Sequence, residues 1–320
     1  MLSVMEELKR VVISHWDLDG IAGATIVNLY MKVSKTILSS ITALTKYLAS
    51  AINYVGRFGE IWVTDLNPQK KYAKDLRNIL IEARRRKIKI YWFDHHEWDK
   101  KIYDTIIGFN DILWYRVDPR TTASDLVARY FDALHNEYVF KLVDLAFDDD
   151  FFINRYETTI MWRRVLRWYG WPIRYKALES FIKGEIRPAW MLEMYRREVK
   201  NLYENLIREA MGRVDNITTK NGLKLLIFQD VDPRVHPGEL ALIARQNGLT
   251  ADVYIIRYPR GVSLRSDYID VAMIAKKLGG GGHKNAAGIP GLIDVDKILE
   301  IISNEEKFKK EKFFIPPYLQ

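Results

Sequence analysis

Seven residues in this chain have the types and spacing for metal-assisted hydrolysis. They are His15, Asp17 and Asp19 in Ser14-His15-Trp16-Asp17-Leu18-Asp19-Gly20, Asp65 after Thr64, and Asp94-His95-His96 after Phe93. Two divalent cations bridged by a carboxylate need about six or seven oxygen and nitrogen ligands. Asp and neutral His supply these to Mn²⁺, or to Mg²⁺ as the alternative ion. Alternation puts His15, Asp17 and Asp19 on one side of an extended segment, and Gly20 then lets the backbone turn tightly. Each fragment alone has an ordinary explanation: an Asp after a strand is commonly a helix cap, and Asp-His-His a surface turn. Three such groups, each following an apolar run, argue for a site.

The elements that must position these groups are strands. Residues 11–14, 60–65, 88–93 and 112–117 read as strands. Residues 20–33, 39–51, 121–134 and 137–147 read as helices, and a further helix runs from Pro68 to about Lys87. Strand and helix alternate, so the fold class is α/β with a parallel, doubly wound sheet, and the three groups fall at its carboxyl edge. Residues 155–214 are helical in pattern, broken near 170–172 and 184–188. A smaller α/β unit follows, with strands at 223–228, 251–258 and 261–265 and helices at 238–246, 269–278 and 294–303. The expected organisation is a domain over 1–155, a helical linker over 156–215, a second domain over 216–304 and a tail over 305–320.

Composition narrows the chemistry. There is no cysteine, which excludes disulfides, thiolate metal sites and cysteine nucleophiles. Forty-nine Lys and Arg against 41 Asp and Glu leave a formal charge of +8, which favours an anionic partner such as nucleic acid. The charged first residues carry no signal-peptide pattern, and no apolar run is long enough for a bilayer. The expectation is a cytoplasmic protein with no membrane partner.

Two further features suit a polyanion. Gly279-Gly280-Gly281-Gly282-His283 can bring backbone N–H groups close to a phosphate, with Arg265 and His283 as added donors. The plain alternative is a flexible loop. His236, before Pro237, reads as a turn residue. In the 155–214 stretch, Arg163, Arg164, Arg167, Arg174, Lys176, Arg196 and Arg197 interleave with Trp162, Trp168, Trp171, Trp190 and Tyr195, a mixture suited to single strands. Most of these aromatics are expected to pack, and a subset of the arginines to meet phosphate. The run from Arg84 to Lys87 is expected to be a solvated helix end.

In order, His15–Gly20, the lone Asp65 and Asp94-His95-His96 resemble the first three motifs of the DHH phosphoesterase superfamily. Ser263-Leu264-Arg265-Ser266 and the run Gly279–Gly288 resemble its GGGH-bearing associated domain. The spacing of the first motif is similar to the RecJ-like and archaeal nuclease branch. The resemblance implies a parallel-sheet DHH domain joined by the helical linker to a smaller nucleic-acid-binding domain. It implies two Mn²⁺ ions, the first held by His15 and Asp17, the second by Asp19 and His95, with Asp65 between them. His96 would contact the scissile phosphate and Asp94 would support the His pair. For the fourth motif Asp144, Asp148, Asp149 and Asp150 compete. Asp148 is chosen because the apolar run 142–147 should end there. Ser263, Arg265, Gly280, Gly281, Gly282 and His283 would grip the strand end.

The function so implied is a manganese-dependent exonuclease on single-stranded DNA, with RNA as an alternative substrate, acting 5′→3′ in repair or replication. A phosphodiesterase for very short oligonucleotides is the competing enzyme. A non-catalytic replication scaffold is the competing class, ranked low because the ligands of all three motifs are present. The terminal Phe313-Phe314-Ile315-Pro316-Pro317-Tyr318-Leu319 is expected to dock on the protein's own core or on a repair helicase or replication factor.

Overall fold

The computed structural model describes residues 8–291 and 293–304, so the aromatic tail lies outside the described residues. The chain divides into two compact units between Ala189 and Trp190. This boundary falls within the 156–215 stretch expected as a linker.

In the first unit, β1 (Arg10–His15), α1 (Leu18–Tyr30), β2 (Lys35–Ser39), α2 (Leu44–Val55), β3 (Glu60–Thr64), α3 (Ala73–Arg85), β4 (Lys89–Asp94), α4 (Lys100–Ile106) and β5 (Leu113–Val117) alternate along the chain. The five strands are all parallel, in the order β2-β1-β3-β4-β5. This is a doubly wound sheet, because the chain goes from β1 to β2 on one side and then crosses back to add β3, β4 and β5 on the other. Val11, Ile13, Ile61, Val63, Ile90 and Trp92 pack on one face in a core with α2, α3 and α4. On the other face α1 and α5 (Ala123–Tyr130) lie against β1, β3 and β4. The sheet's two-sided burial is why its strands read as continuous apolar runs.

Three expectations shift. Residues 35–39 form an edge strand, β2, that was not expected, and the helix expected over 39–51 begins at Leu44. Pro68 does not open α3, which begins at Ala73 after a 3-10 turn over Lys70–Tyr72. The helix expected over 137–147 runs on to Asp150 as α6 (Glu137–Asp150), so the three aspartates lie on its last turn. α7 (Glu157–Trp168) and α8 (Trp171–Ile182) complete this unit, and α8 packs on α1.

The second unit opens with α9 (Ala189–Met194), a π-helical turn over Tyr195–Val199 and α10 (Lys200–Met211). Then come β6 (Val214–Thr218), β7 (Lys224–Phe228), α11 (Pro237–Gln246), β8 (Val253–Tyr258), β9 (Gly261–Arg265), α12 (Val271–Lys277), β10 (Gly281–His283), β11 (Ala286–Pro290) and α13 (Val295–Asn304). Its mixed sheet has the order β10-β11-β9-β8-β7-β6, with β7 and β8 parallel and the other pairs antiparallel. Leu225, Ile227, Val253, Ile255, Leu264 and Ile289 share its core with α12 and α13. No helix among the described residues is long and apolar enough to cross a membrane.

Candidate metal centre

The site lies where the strand order reverses, at the carboxyl ends of β1 and β3, the place where open α/β sheets leave a crevice. His15 ends β1, and Asp17 caps α1 by accepting the Gly20 N–H at 3.1 Å. Gly20 is required for closeness rather than for an unusual turn. A Cβ there would sit 2.4 Å from the His15 carbonyl oxygen, so only glycine lets α1 start so near the end of β1. Ser14 ties the same corner to β3 through its hydroxyl, 2.6 Å from that of Thr64.

Asp65 follows β3 with φ 56°, a left-handed conformation that costs a non-glycine residue about 1–3 kcal/mol. Its amide is held by the Phe93 carbonyl at 2.9 Å, and its carboxylate is buried between two imidazoles. Oδ2 stands 3.4 Å from His15 Nδ1, and Oδ1 stands 3.4 Å from His95 Nε2. His15 Nδ1 is also 2.6 Å from Asp17 Oδ2, and His95 Nε2 is 3.2 Å from Asp150 Oδ2. Two groups result, His15-Asp17-Asp65 and Asp19-His95-Asp150, each with ligand atoms within 4.8 Å of one another. Asp65 gives one oxygen to each side.

Asp19 is buried at the amino end of α5, where its two oxygens accept the Ala123 and Ser124 N–H groups at 2.8 and 2.9 Å. This helix terminus is a natural seat for an anion. Asp94 accepts four hydrogen bonds: the His95 and His96 N–H groups, His96 Nδ1 at 2.8 Å and Trp98 Nε1 at 2.5 Å. It thereby fixes the backbone of the His pair and the ring of His96, a positioning role. His96 Nδ1 also lies 3.8 Å from Asp65 Oδ1.

The fourth carboxylate at this cluster is Asp150. Asp148 does not reach it. Fully buried, Asp148 accepts the Arg155 and Tyr156 N–H groups at 2.8 and 3.3 Å and so holds the chain after α6. Asp144 binds Arg155 and Tyr156, and Asp149 binds Arg163. Because the helix continues to Asp150, residues 148 and 150 point about 200° apart around it. Spacing alone does not separate the two, since Asp148 is three residues from Leu145 and Asp150 four from Ala146, both buried on α6.

The electrostatics follow from crowding. Burial and then Asp65 push the Asp19 carboxyl up to about 7, against the pull of His95. Burial, with Asp19, Asp65 and Asp17 adding to it, raises Asp150 well above the carboxylate range despite His95. Burial alone would lower His15, but Asp17 and then Asp65 outweigh it and raise it to about 10. Burial also opposes the charge on His95, which Asp150, Asp65 and Asp19 nevertheless raise well above the usual imidazole value. Asp65 itself stays well below the usual range, because the His15 and His95 hydrogen bonds overcome its burial. Protons alone thus balance a converging set of four carboxylates and two imidazoles. A donor set of this kind, oxygen and imidazole without sulfur, fits a hard or borderline divalent cation in their place.

In the second unit the glycine run turns out of α12 at Gly279 and Gly280 and enters β10 at Gly281. The Gly280 N–H donates to the Ala275 carbonyl at 2.8 Å in closing α12, so it is not offered to a ligand. A Cβ on Gly280 would lie 2.1 Å from the Gly288 oxygen. Gly282 has φ 135°, and its Cβ would lie 2.5 Å from the Ala286 oxygen. Glycine here serves close strand pairing. The register sets His283, Ala286, Arg265 and Tyr254 in one cross-strand row, with Gly281, Gly288 and Ser263 two residues along. These residues share the face opposite Leu264 and Ala287, which point into the core. Ser263, Arg265 and His283 are half-buried. His236 caps α11, its Nδ1 accepting the Gly238 N–H at 3.1 Å, which accounts for it as a turn residue.

No family model matches the sequence, and no curated protein matches it. Solved structures do match. The DHH domain of a member of a ribosomal-protein family superposes with a TM-score of 0.61 at 14% identity, over 93% of this chain and 87% of that one. A crystal structure of exonuclease RecJ bound to manganese gives 0.58 at 14% identity, over 94% and 91%. A pGpG-specific phosphodiesterase, PggH from Vibrio cholerae, gives 0.52 at 12% identity, over 92% and 97%. The chain shares the two-domain α/β fold of these solved structures.

Proposed function

We propose that this protein is a metal-dependent phosphodiesterase, a nuclease that removes nucleotides from the end of single-stranded DNA, with RNA as an alternative substrate. The observation that carries this reading is the pair of groups His15-Asp17-Asp65 and Asp19-His95-Asp150, sharing a buried Asp65 at the β1/β3 crevice. In this reading His15 and Asp17 hold one ion, Asp19, His95 and Asp150 the other, and Asp65 serves both, with Asp150 in place of Asp148. Mn²⁺ suits the donors best, Mg²⁺ next. Such ions supply an activated water and charge stabilisation on the phosphoryl oxygens.

The protein's own groups divide the remaining work. Asp94 orients His96 toward the phosphate side of the cluster, and its hydrogen bond at Nδ1 leaves Nε2 as the ring nitrogen that addresses substrate. Asp19 is held by the α5 terminus, so its position does not depend on a ligand. In the second unit the row of Ser263, Arg265 and His283 sets polar side chains on one face of the sheet for a terminal phosphate. We place 1–189 as the catalytic unit and the remainder as the binding unit. The RecJ-like spacing of His15, Asp17 and Asp19 favours 5′→3′ action.

The test compares the wild type with Asp65→Ala on 5′- and 3′-labelled single-stranded DNA and RNA in Mn²⁺. Stepwise release of mononucleotides by the wild type, lost in Asp65→Ala, is expected. Hydrolysis that survives in Asp65→Ala overturns the reading.

A further inference from the structure

The basic and aromatic residues after α6 separate by their contacts. Arg163 is buried and committed, with Nε donating to Asp149 at 2.6 Å and Nη1 to Asn154 at 2.7 Å. Arg155 is paired with Asp144 at 2.8 Å. Arg174, on α8, differs from both. Its Nε donates to the Leu166 carbonyl at 3.2 Å, and among the described residues no carboxylate pairs with it. Its guanidinium carbon lies 3.7 Å from the ring centroid of Trp16 and 4.7 Å from that of Trp171. Burial and then the charge of Arg167 lower it to about 10, against the attraction of Asp17, so it stays a cation at neutral pH.

The two indoles have different surroundings. Trp16 stands between His15 and Asp17, its ring 5.3 Å from the His15 ring, so one end of the stack is set at the candidate metal centre. Trp171 opens α8 with 42% of its surface exposed. A stack built only for packing would cover its outer ring and pair its cation. This one runs outward from the cluster and ends on an exposed indole, with a guanidinium against both rings that no carboxylate among the described residues pairs with directly. Single nucleic-acid strands match that pattern, since their phosphates seek cations and every base has a face to stack.

We propose that Trp16, Arg174 and Trp171 form a stacking subsite for the nucleotide beside the scissile bond, Arg174 meeting its phosphate and Trp171 its base. This rests on the phosphodiesterase reading above and assigns part of its substrate recognition. Trp16 keeps the guanidinium flat and in place, and the exposed Trp171 face accepts any base, so the subsite gives affinity without sequence preference.

The experiment uses the full chain and three variants, Trp171→Ala, Trp171→Phe and Arg174→Lys, with melting temperatures compared first. Binding of fluorescein-labelled pentathymidylate is read by anisotropy in EDTA, and steady-state hydrolysis of the same strand in Mn²⁺. Trp171→Ala should weaken binding and raise KM by roughly tenfold, the scale of one base–aromatic stack, with kcat little changed. Trp171→Phe should recover most of that loss. Arg174→Lys, which keeps charge but not the planar stack, should fall between. A single abasic nucleotide moved along the strand should cost the wild type affinity at one position, and that penalty should vanish in Trp171→Ala. Hydrolysis of methyl p-nitrophenyl phosphate, which has no base, should be the same in wild type and Trp171→Ala. Unchanged binding and KM in Trp171→Ala, or an abasic penalty that persists in it, overturns the subsite. A wild type that binds the strand with this stacking signature but hydrolyses no phosphodiester overturns the phosphodiesterase reading and leaves the subsite standing.

Discussion

The strand-end cluster of the first unit and the glycine hairpin of the second arrange polar groups by different means. In the first, parallel strands buried on both faces end together, and carboxylates and imidazoles converge at their common edge. Mutual repulsion and desolvation then move their proton affinities far from ordinary values. In the second, antiparallel register alone lines up Ser263, Arg265 and His283 on a half-buried face, and glycines serve only to bring strands together. Chemistry requires strain that the fold must offset, as the left-handed Asp65 illustrates, whereas recognition requires only correct alternation.

That contrast can be broken most severely at Asp65. Asp65→Asn should lower phosphodiester hydrolysis by roughly 10³-fold or more, the scale on which one electrostatic group at a reacting centre acts. Its melting temperature should fall modestly, because His15 and His95 lose the anion that sits between them. Equal activity in the two proteins would remove Asp65 from the centre of the site.

Next comes the pair of aspartates on α6. Asp150→Asn should cost activity with stability preserved. Asp148→Ala should instead lower stability by about 1–3 kcal/mol, because the Arg155 and Tyr156 N–H groups lose their acceptor, while the folded fraction keeps its turnover. Denaturant melts and kcat for both variants decide this, and the reverse pattern would restore Asp148 as the ligand.

Proton linkage comes third. Asp19 at about 7 and His15 at about 10 hold protons that a cation must displace. Mn²⁺ affinity should therefore rise with pH, by up to about tenfold per unit for each proton released, more steeply below the Asp19 value, where both groups hold protons, than above it. Calorimetric titration between pH 6 and 8 in buffers of different ionisation enthalpy measures it. A flat profile would mean that these protons are not what the ion replaces.

The smallest effects belong to the hairpin. Gly282→Ala meets both a left-handed φ and a backbone oxygen, and should destabilise the second unit by about 1–3 kcal/mol and weaken strand binding. Gly288→Ala meets open space at ordinary φ, and should stay within about 0.5 kcal/mol of wild type. Similar losses in both would argue that the backbone of this face contacts the ligand directly.

Central strands were legible because burial on both faces leaves them almost wholly apolar, as in Val11–Ile13 and Ile61–Val63. The edge strands β2 and β6 were not. Lys35-Thr36 and Asp215-Asn216 carry little apolar pattern, because an edge strand is paired on one side only and tolerates polar residues. Pro68 is a plausible helix opener by local rules, but the chain takes a turn first, and α3 begins where Ala73 and Leu76 meet the core.

Residue type and order alone determined that His15, Asp17, Asp19, Asp65 and His95 would converge, since each follows a strand of one parallel sheet and such strands end at a common edge. Only the tertiary structure decided the last carboxylate, which depends on how far α6 continues and which side of its final turn faces His95. It also decided that Gly280 closes a helix, and that Arg174 lies between two indoles while Arg163 is bound to Asp149. These outcomes rest on packing between segments distant in sequence, which no local pattern encodes.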